Sequence, residues 1–167
     1  MKISFLMPAY NKEPYIAESI KSFIDQNHRN KELIIINDKS NDGTADICNY
    51  FIKQYRNIHY YENEKNMGVA YCRNLAREYA TGDIMCVLDA DDIAYIQRAA
   101  IVNKFFTKHK GIDIMYGAAH IVDIRSKVLD TRRPDNFSIV REKVDNQIVH
   151  STVAFRNSVN VKYRESE

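Results

Sequence analysis

The chain has 167 residues, of which 45% are hydrophobic and 28% are charged, with 5 glycines and 3 prolines. This composition excludes disordered and fibrous classes of protein. A chain of this length buries about two thirds of the surface that its unfolded state exposes, so it can form one hydrophobic core. We therefore expect a single domain over residues 1–167.

The net charge of +2 is unevenly distributed along the chain. Residues 125–164 contain nine Lys or Arg and four Asp or Glu, whereas residues 1–124 contain 15 and 16. The basic segment is either a solvated face or a surface for an acceptor that carries phosphate or lies at a lipid surface. No nucleic-acid-binding motif accompanies it, so we expect no nucleic-acid partner.

The cysteines exclude two further classes of protein. Cys48, Cys72 and Cys86 are an odd number without Cys-x-x-Cys spacing, which argues against a disulfide framework and against a zinc site. The apolar run near the amino terminus is too short for a signal-peptide core, and no run reaches the length of a transmembrane segment. We expect a cytoplasmic protein, with peripheral contact at the inner face of the membrane left open.

Strands and helices alternate in the first two thirds of the chain. Apolar runs predict strands at residues 3–7, 32–37, 58–61 and 84–88. Helical spacing predicts helices at residues 14–27, 44–55, 69–79 and 96–108. Pro8 is expected to end the first strand, because proline cannot donate to a ladder. Thr44 is a candidate cap for the second helix.

The alternation changes in the last third. A strand is predicted at residues 113–117, a hairpin at 120–124 and 128–132, and a last strand at 149–155. The order of elements predicts the α/β fold class: a mostly parallel central sheet flanked by helices, with a β-hairpin in the carboxyl-terminal third.

Three carboxylates follow the predicted central strand directly. Asp89 and Asp91 are two residues apart and point to the same side if the strand period persists. Ligands of open α/β sheets bind outside the carboxyl ends of the strands, and two carboxylates there suit Mg²⁺ or Mn²⁺. In the other interpretation these acids are solvated, or Asp92 caps the following helix. Asp38, just beyond the second strand, is either a ligand contact or an Asx-turn residue.

Five short motifs in order resemble a family 2 glycosyltransferase with the GT-A (Rossmann-like) fold, over residues 3 to about 165. They are Pro-Ala-Tyr-Asn at 8–11 with Tyr15-Ile16 and Ser19-Ile20; 32–38 with Ser40 and Asp-Gly-Thr at 42–44; Asn66-x-Gly68 with Ala70 and Arg73-Asn74; Gly82-Asp83; and Leu-Asp-Ala-Asp-Asp at 88–92. The resemblance implies a nucleotide-sugar donor, usually a UDP-sugar, and an acceptor that is a glycan, a lipid-linked glycan or a protein. It also implies a donor-binding half at 1–110 and the start of an acceptor-side half at 111–167.

The resemblance also implies roles for individual residues. The nucleotide-binding set is Pro8, Ala9, Tyr10, Asn11, Asp38, Asn66, Gly68, Arg73, Asp89 and Ala90. Within this set Asp38 would accept the uracil imide N–H, and Arg73 would reach the base or the diphosphate. Asp91 would bind Mn²⁺ or Mg²⁺ directly, with Asp89 and Asp92 as less certain metal ligands.

The implied reaction is an inverting transfer to an acceptor hydroxyl, which needs a carboxylate base. In similar enzymes the base lies shortly after a segment like Tyr163-Arg164-Glu165, and this chain ends at Glu167. The chain is then either a truncated piece of a longer enzyme or a short homologue without the base. Glu165 and Glu167 are weak candidates, because residues at a chain end are poorly positioned.

Three rival functions remain to be compared. A nucleotide-sugar-binding module or inactive remnant would keep Asp38 and Asp91 without catalysis. A nucleotidyltransferase would build its phosphate site from a glycine-rich loop after the first strand, but residues 8–12 contain no glycine. A dinucleotide-dependent dehydrogenase is excluded because no G-x-G-x-x-G follows any strand. The sequence does not identify the sugar, the acceptor or the oligomeric state.

Overall fold

The structure, a computed structural model, describes residues 1–123, 125–133, 148–160 and 162–164. The strands are β1 Ile3–Ala9, β2 Lys31–Asn37, β3 Ile58–Glu62, β4 Ile84–Val87, β5 Ile114–Met115, β6 Ala119–Val122, β7 Val128–Arg132 and β8 Ala154–Arg156. The helices are α1 Ile16–Ile24, α2 Thr44–Ile52, α3 Val69–Tyr79 and α4 Arg98–Lys108. Each predicted strand and helix of the first two thirds is present, although several ends differ by a few residues.

The central sheet has six strands in the order β3-β2-β1-β4-β8-β5. The strands β1 to β4 pair in parallel, whereas β8 runs antiparallel to both β4 and β5. The predicted hairpin is present as the separate antiparallel pair β6 and β7. This arrangement confirms the predicted α/β fold class with its mostly parallel sheet.

The core lies on both faces of the sheet. Alternate residues of β1 point to opposite faces, so Phe5 packs with α1, α2 and α4 whereas Leu6 packs with α3. The Phe5 ring meets Phe23 of α1 edge to face, with centroids 5.4 Å apart. Because both faces are covered, β1 and β2 are mostly apolar, as parallel strands usually are.

The prediction that Pro8 ends the first strand is wrong. At the end of β1 the Ala9 carbonyl accepts from the Asp38 N–H, on the β2 side, whereas the Leu6 carbonyl accepts from the Leu88 N–H, on the β4 side. Alternate residues of a strand bond to opposite neighbours, so the nitrogen of Pro8 faces the β4 side. There β4 has already ended at Val87, and the missing N–H costs no ladder bond.

The last predicted strand, at 149–155, is also wrong in part. A single 3₁₀ turn, His150–Thr152, precedes the short strand β8. Thr152 closes this turn, because its backbone N–H and its hydroxyl both donate to the Val149 carbonyl, at 2.9 and 2.7 Å. A threonine hydroxyl that bonds locally in this way competes with strand pairing.

A buried carboxylate ties the amino-terminal edge of the sheet together. Glu32 of β2 is 3% exposed and accepts hydrogen bonds from the Ser4 hydroxyl at 2.6 Å and from the Thr81 N–H at 2.7 Å. The Lys2 ammonium pairs with its second oxygen. Burial acts to raise the pKa of Glu32, but the bonds from Lys2, Ser4 and Thr81 outweigh it, and the pKa lies below its usual value.

We predict that Glu32→Gln lowers the free energy of unfolding by about 1.5–3 kcal/mol at pH 7, the usual worth of hydrogen bonds to a charged group. The folded-state pKa is lowered, so the stabilisation is present above the unfolded value near 4.5 and is lost as pH falls through the folded pKa. Urea unfolding from pH 7 to pH 3 measures this. The exposed Glu78→Gln is the control, and an equal effect of both variants would contradict the prediction.

Candidate functional site

A cleft opens where the strand order reverses. Strand β1 lies between β2 and β4, so the chain leaves β1 toward one side and returns to its other side at β4, which makes a topological switch point at their carboxyl ends. We call this the switch-point cleft, and its volume is about 500 Å³. Its lining residues are Pro8, Ala9, Tyr10, Lys12, Asp38, Asn66, Gly68, Val69, Cys72, Arg73, Asp89, Ala90 and Asp91.

The loops after β1 and β2 are joined by side-chain hydrogen bonds. Asn11 lies outside the cleft lining but accepts from the Asn41 N–H at 3.0 Å, and its own N–H donates to the Ser40 hydroxyl at 3.0 Å. Asn11 has a left-handed backbone with φ of 50°, which asparagine tolerates better than most residues. The cleft wall formed by residues 8–12 is therefore fixed against its neighbouring loop.

Thr44 is not the cap of α2, as the sequence predicted, but its first residue. The free amides at this helix start are taken by acids: Asp42 accepts from the Thr44 N–H at 3.0 Å, and Glu13 accepts from the Gly43 N–H at 2.8 Å. The Thr44 hydroxyl instead accepts from the Lys12 N–H at 2.8 Å. It thereby holds the backbone of the cleft loop against α2.

Asp38 forms the floor of the cleft at the end of β2. Its side chain is buried and accepts from Asn63 Nδ2 at 2.7 Å and from the N–H groups of Met67 and Gly68, both at 2.8 Å. These contacts do not close its own loop, so the Asx-turn interpretation is wrong for Asp38. Asn37 closes this loop instead, because its side-chain oxygen accepts from the N–H and hydroxyl of Ser40, three residues on.

Two ion pairs lie at the other end of the cleft. Arg73 Nη2 is 2.9 Å from Asp89 Oδ1, and Lys12 Nζ is 2.6 Å from Asp91 Oδ2. Strand β4 ends at Val87, so the two acids lie in a turn and not on one strand face as expected. Both nevertheless line the same cleft.

Asp92 differs from its neighbours. It does not cap α4, whose N-cap is Gln97. Burial raises the pKa of the Asp92 carboxyl, the charges of Asp89 and Asp91 raise it further, and a hydrogen bond from Ser151 acts in the opposite direction. An acid whose charge is disfavoured in this way is a poorer metal ligand than Asp91.

The donor set fits a divalent cation held jointly with a phosphate group. Within the described residues no three His, Cys, Asp or Glu side chains come together as a metal cage. Mg²⁺ and Mn²⁺ bound with nucleotide phosphates usually need only one or two carboxylates, and Asp91 and Asp89 supply hard oxygen at the cleft. Asp91 already holds a cationic group, the Lys12 ammonium.

A later segment closes against helix α3 beside the cleft. The Asn74 side-chain amide bonds both backbone groups of Tyr163, at 2.9 and 2.8 Å, and the Arg73 guanidinium lies 5.6 Å from the centre of the Tyr163 ring. The Tyr163 hydroxyl is 3.0 Å from His150 Nε2. Burial lowers the pKa of His150 and the charge of Arg73 adds to this, so the imidazole is neutral at pH 7 and shares a hydrogen bond with the tyrosine hydroxyl.

The cleft gathers the predicted residues except Asn11 and Asp92. The base candidates Glu165 and Glu167 lie outside the described residues. Sequence reasoning missed Lys12, Val69 and Cys72 as lining residues. A lysine that follows the Pro-Ala-Tyr-Asn loop at a strand's carboxyl end was the available signal for Lys12. Cys72 is buried and its sulfur accepts from Asn63 Nδ2 at 3.3 Å; burial raises its pKa to about 12, so it stays an unreactive thiol.

We predict that Gly68→Ala lowers the free energy of unfolding by about 1–3 kcal/mol, because its backbone lies in a region open almost only to glycine. Its φ and ψ are 86° and 158°, and its N–H donates to Asp38, whereas nothing within 4 Å would meet an added Cβ. The loss therefore reports backbone strain. Gly111→Ala, also with open space but without positive φ, is the control for urea unfolding. Equal effects would contradict this account.

Known proteins share parts of this sequence. The chain is 41% identical over 90 residues to the putative teichuronic acid biosynthesis glycosyltransferase TuaG of Bacillus subtilis, which covers 54% of this chain and 36% of TuaG. It is 27% identical over 171 residues to an uncharacterized glycosyltransferase of Methanocaldococcus jannaschii, which covers 99% of this chain and 59% of that protein. The chain thus spans less than two thirds of the length of these relatives.

Solved structures share the fold. TarS 1-349 of S. aureus in complex with UDP superposes with a TM-score of 0.75 at 22% identity, over 95% of this chain and 47% of that chain. The mannosyltransferase PcManGT of Pyrobaculum calidifontis, in complex with GDP-Man and Mn²⁺, superposes with a TM-score of 0.65 at 20% identity, over 93% of this chain and 44% of that chain. In the described residues no helix is long and apolar enough to cross a membrane. The model of glycosyl transferase family 2 matches residues 4–164, and the chain belongs to that family.

Proposed function

We propose that the switch-point cleft binds a nucleoside diphosphate sugar, with a UDP-sugar as the favoured donor, for transfer to an acceptor hydroxyl. The observation that carries the proposal is the pairing of one buried carboxylate, Asp38, with two acids, Asp89 and Asp91, at opposite ends of one cleft. This arrangement offers an acceptor for a base N–H at one end and a site for a bridging cation at the other. Glycosyl transfer is also the activity named for the relatives.

Asp38 can accept a further hydrogen bond, from the nucleobase. Asn63, Met67 and Gly68 occupy three of about four acceptor positions of this carboxylate, and the Cys72 thiol is a further, weak donor to it. The uracil imide N–H is a stronger donor than a thiol and would take the remaining position in its place. Such a charge-assisted bond is worth about 1.5–3 kcal/mol when the acceptor is already desolvated and fixed.

The acidic end of the cleft would hold the diphosphate through Mn²⁺ or Mg²⁺. When bound, the cation supplies Lewis-acid stabilisation of the negative charge on the departing nucleoside diphosphate. Asp91 would be its direct protein ligand. Arg73 pairs with Asp89, and that carboxylate would accept hydrogen bonds from ribose hydroxyls.

The transfer is proposed to invert the anomeric centre. A carboxylate must take the acceptor's proton, and Glu165 and Glu167 remain the candidates in this chain. Residues 1–110 would form the donor-binding half and residues 111–167 the start of the acceptor side. A cytoplasmic location, with an acceptor at the inner face of the membrane, fits the basic segment at 125–164.

A second candidate function is donor binding without transfer. The same cleft would serve a nucleotide-sugar-binding module if no residue of the chain deprotonates an acceptor. Both functions require the donor site, so a binding measurement tests what they share. Release of free or transferred sugar from a radiolabelled UDP-sugar then separates them.

We predict that UDP binds this chain in the presence of Mn²⁺ and that Asp91→Asn weakens this binding by about 10–100-fold, the usual cost of disturbing a metal ligand set. Isothermal titration of UDP, with and without Mn²⁺, measures the effect. Asp25→Asn, at the end of α1 and outside the cleft, is the matched control and should bind as the parent chain does.

The titration also tests which nucleobase the cleft prefers. GDP should bind more weakly than UDP, because Asp38 would have one acceptor position left for the nucleobase and guanine presents two adjacent donors, N1–H and N2–H. The proposal is overturned if the folded chain binds neither nucleotide with Mn²⁺ present. It is also overturned if Asp91→Asn and Asp25→Asn behave alike.

A further inference from the structure

We infer that Lys12 is an internal counter-cation that competes with the divalent cation for Asp91, so that metal and donor bind this cleft together and metal alone binds weakly. This inference rests on the proposed function, because it assumes that Asp91 is the metal ligand. The proposed function assigns no role to Lys12.

The contact itself is direct. Lys12 Nζ is 2.6 Å from Asp91 Oδ2, although the two residues are 79 positions apart. Their side chains are 33% and 42% exposed, so the pair is partly shielded from water. An ammonium at this distance occupies the space that a metal ion would need beside the same oxygen. Two cations cannot share this position without strong repulsion.

Only the end of the Lys12 side chain is free to move. Its backbone N–H donates to the Thr44 hydroxyl at 2.8 Å, and its carbonyl accepts from the N–H groups of Tyr15 and Ile16 at 3.0 and 2.9 Å. The backbone of Lys12 is therefore anchored at the cleft wall. The four-carbon side chain can still swing its compact ammonium between partners.

The charges of the cleft explain why the metal binds together with the donor. The lining carries three carboxylates, Asp38, Asp89 and Asp91, against two cations, Lys12 and Arg73. A divalent cation that enters alone adds positive charge and displaces Lys12 from its partner without offering another. A diphosphate that enters with the cation supplies phosphate oxygens, on which the displaced ammonium can form new bonds.

The second ion pair of the cleft behaves differently. Arg73 lies against the Tyr163 ring and its Nη2 reaches Asp89, so its guanidinium is held on two sides. It is 17% exposed, about half the exposure of Lys12. Of the two cations, Lys12 is therefore the one that can leave its carboxylate for a phosphate.

Lys12→Met tests the inference, since methionine keeps the length of the stem and removes the charge. Mn²⁺ alone should bind this variant about three- to tenfold more tightly than the parent chain, in the range expected for loss of a partly exposed competing pair. UDP in saturating Mn²⁺ should bind about three- to tenfold more weakly. Uridine, which has no phosphate, should bind equally to both. The free Mn²⁺ signal in electron paramagnetic resonance gives the metal affinities, and calorimetry gives the others.

The matched control is Lys39→Met. Lys39 also pairs with a carboxylate, Glu62, at 3.0 Å, but lies outside the cleft lining. It should change none of the three affinities. Equal melting temperatures of the variants exclude misfolding as the cause of any difference.

The outcomes separate the inference from the function on which it rests. If Lys12→Met weakens UDP binding but leaves the affinity for Mn²⁺ alone unchanged, Lys12 is only a phosphate contact and the inference is overturned. If it changes neither affinity, the inference also fails, while loss of Mn²⁺ binding in Asp91→Asn would keep the metal site. If Asp91→Asn leaves Mn²⁺ and UDP binding intact, the proposed metal site is wrong, and the inference falls with it.

Discussion

A buried carboxylate needs hydrogen-bond partners, and such a group lies at each end of β2. Glu32 and Asp38 are both 3% exposed. Glu32 draws Ser4 and Thr81 to the amino-terminal edge of the sheet, and Asp38 draws the loop before α3 to the carboxyl-terminal edge. An ionised group left without partners in these positions would cost several kcal/mol, so both loops are held where the acids require them. The candidate site lies at the second of these carboxylates, Asp38.

The fold of the first two thirds was predictable because its information is local. Each buried strand is a continuous apolar run and each helix has its own apolar period, so the sequence shows them without their partners. The acids at the ends of these strands were visible for the same reason. Ends of elements were less certain, because Pro8 and Thr44 depend on which neighbour their nitrogen or hydroxyl faces. That choice is made by tertiary contacts, such as the bond from the Lys12 N–H to Thr44.

The contacts within the cleft were less predictable because they join distant residues. Nothing near Asp91 in sequence indicates Lys12, and nothing near Asn74 indicates Tyr163, which is 89 positions away. Two of the three partners that donate nitrogen-bound protons to Asp38 are backbone N–H groups, of Met67 and Gly68, which residue identity does not reveal. Residue identity alone therefore predicts which side chains are available for chemistry, and the topology determines which of them are already occupied.

The antiparallel direction of β8 explains how the later segment returns to the cleft. Because β8 runs opposite to β4, the 3₁₀ turn before it lies at the carboxyl-terminal edge and the chain leaves it at the other edge. The chain then runs back along α3. There Arg77 Nη2 donates to the Val159 carbonyl at 2.7 Å, and Asn74, one turn earlier in the helix, binds the backbone of Tyr163.

This return brings Tyr163 to His150, although His150 precedes β8 and Tyr163 follows it. Helix α3 begins at the cleft and ends at the far edge of the sheet, so a segment bound antiparallel to it must finish beside Arg73. Arg73 contacts both Tyr163 and Asp89, and it therefore joins the cleft to the segment at 162–164 that returns along α3.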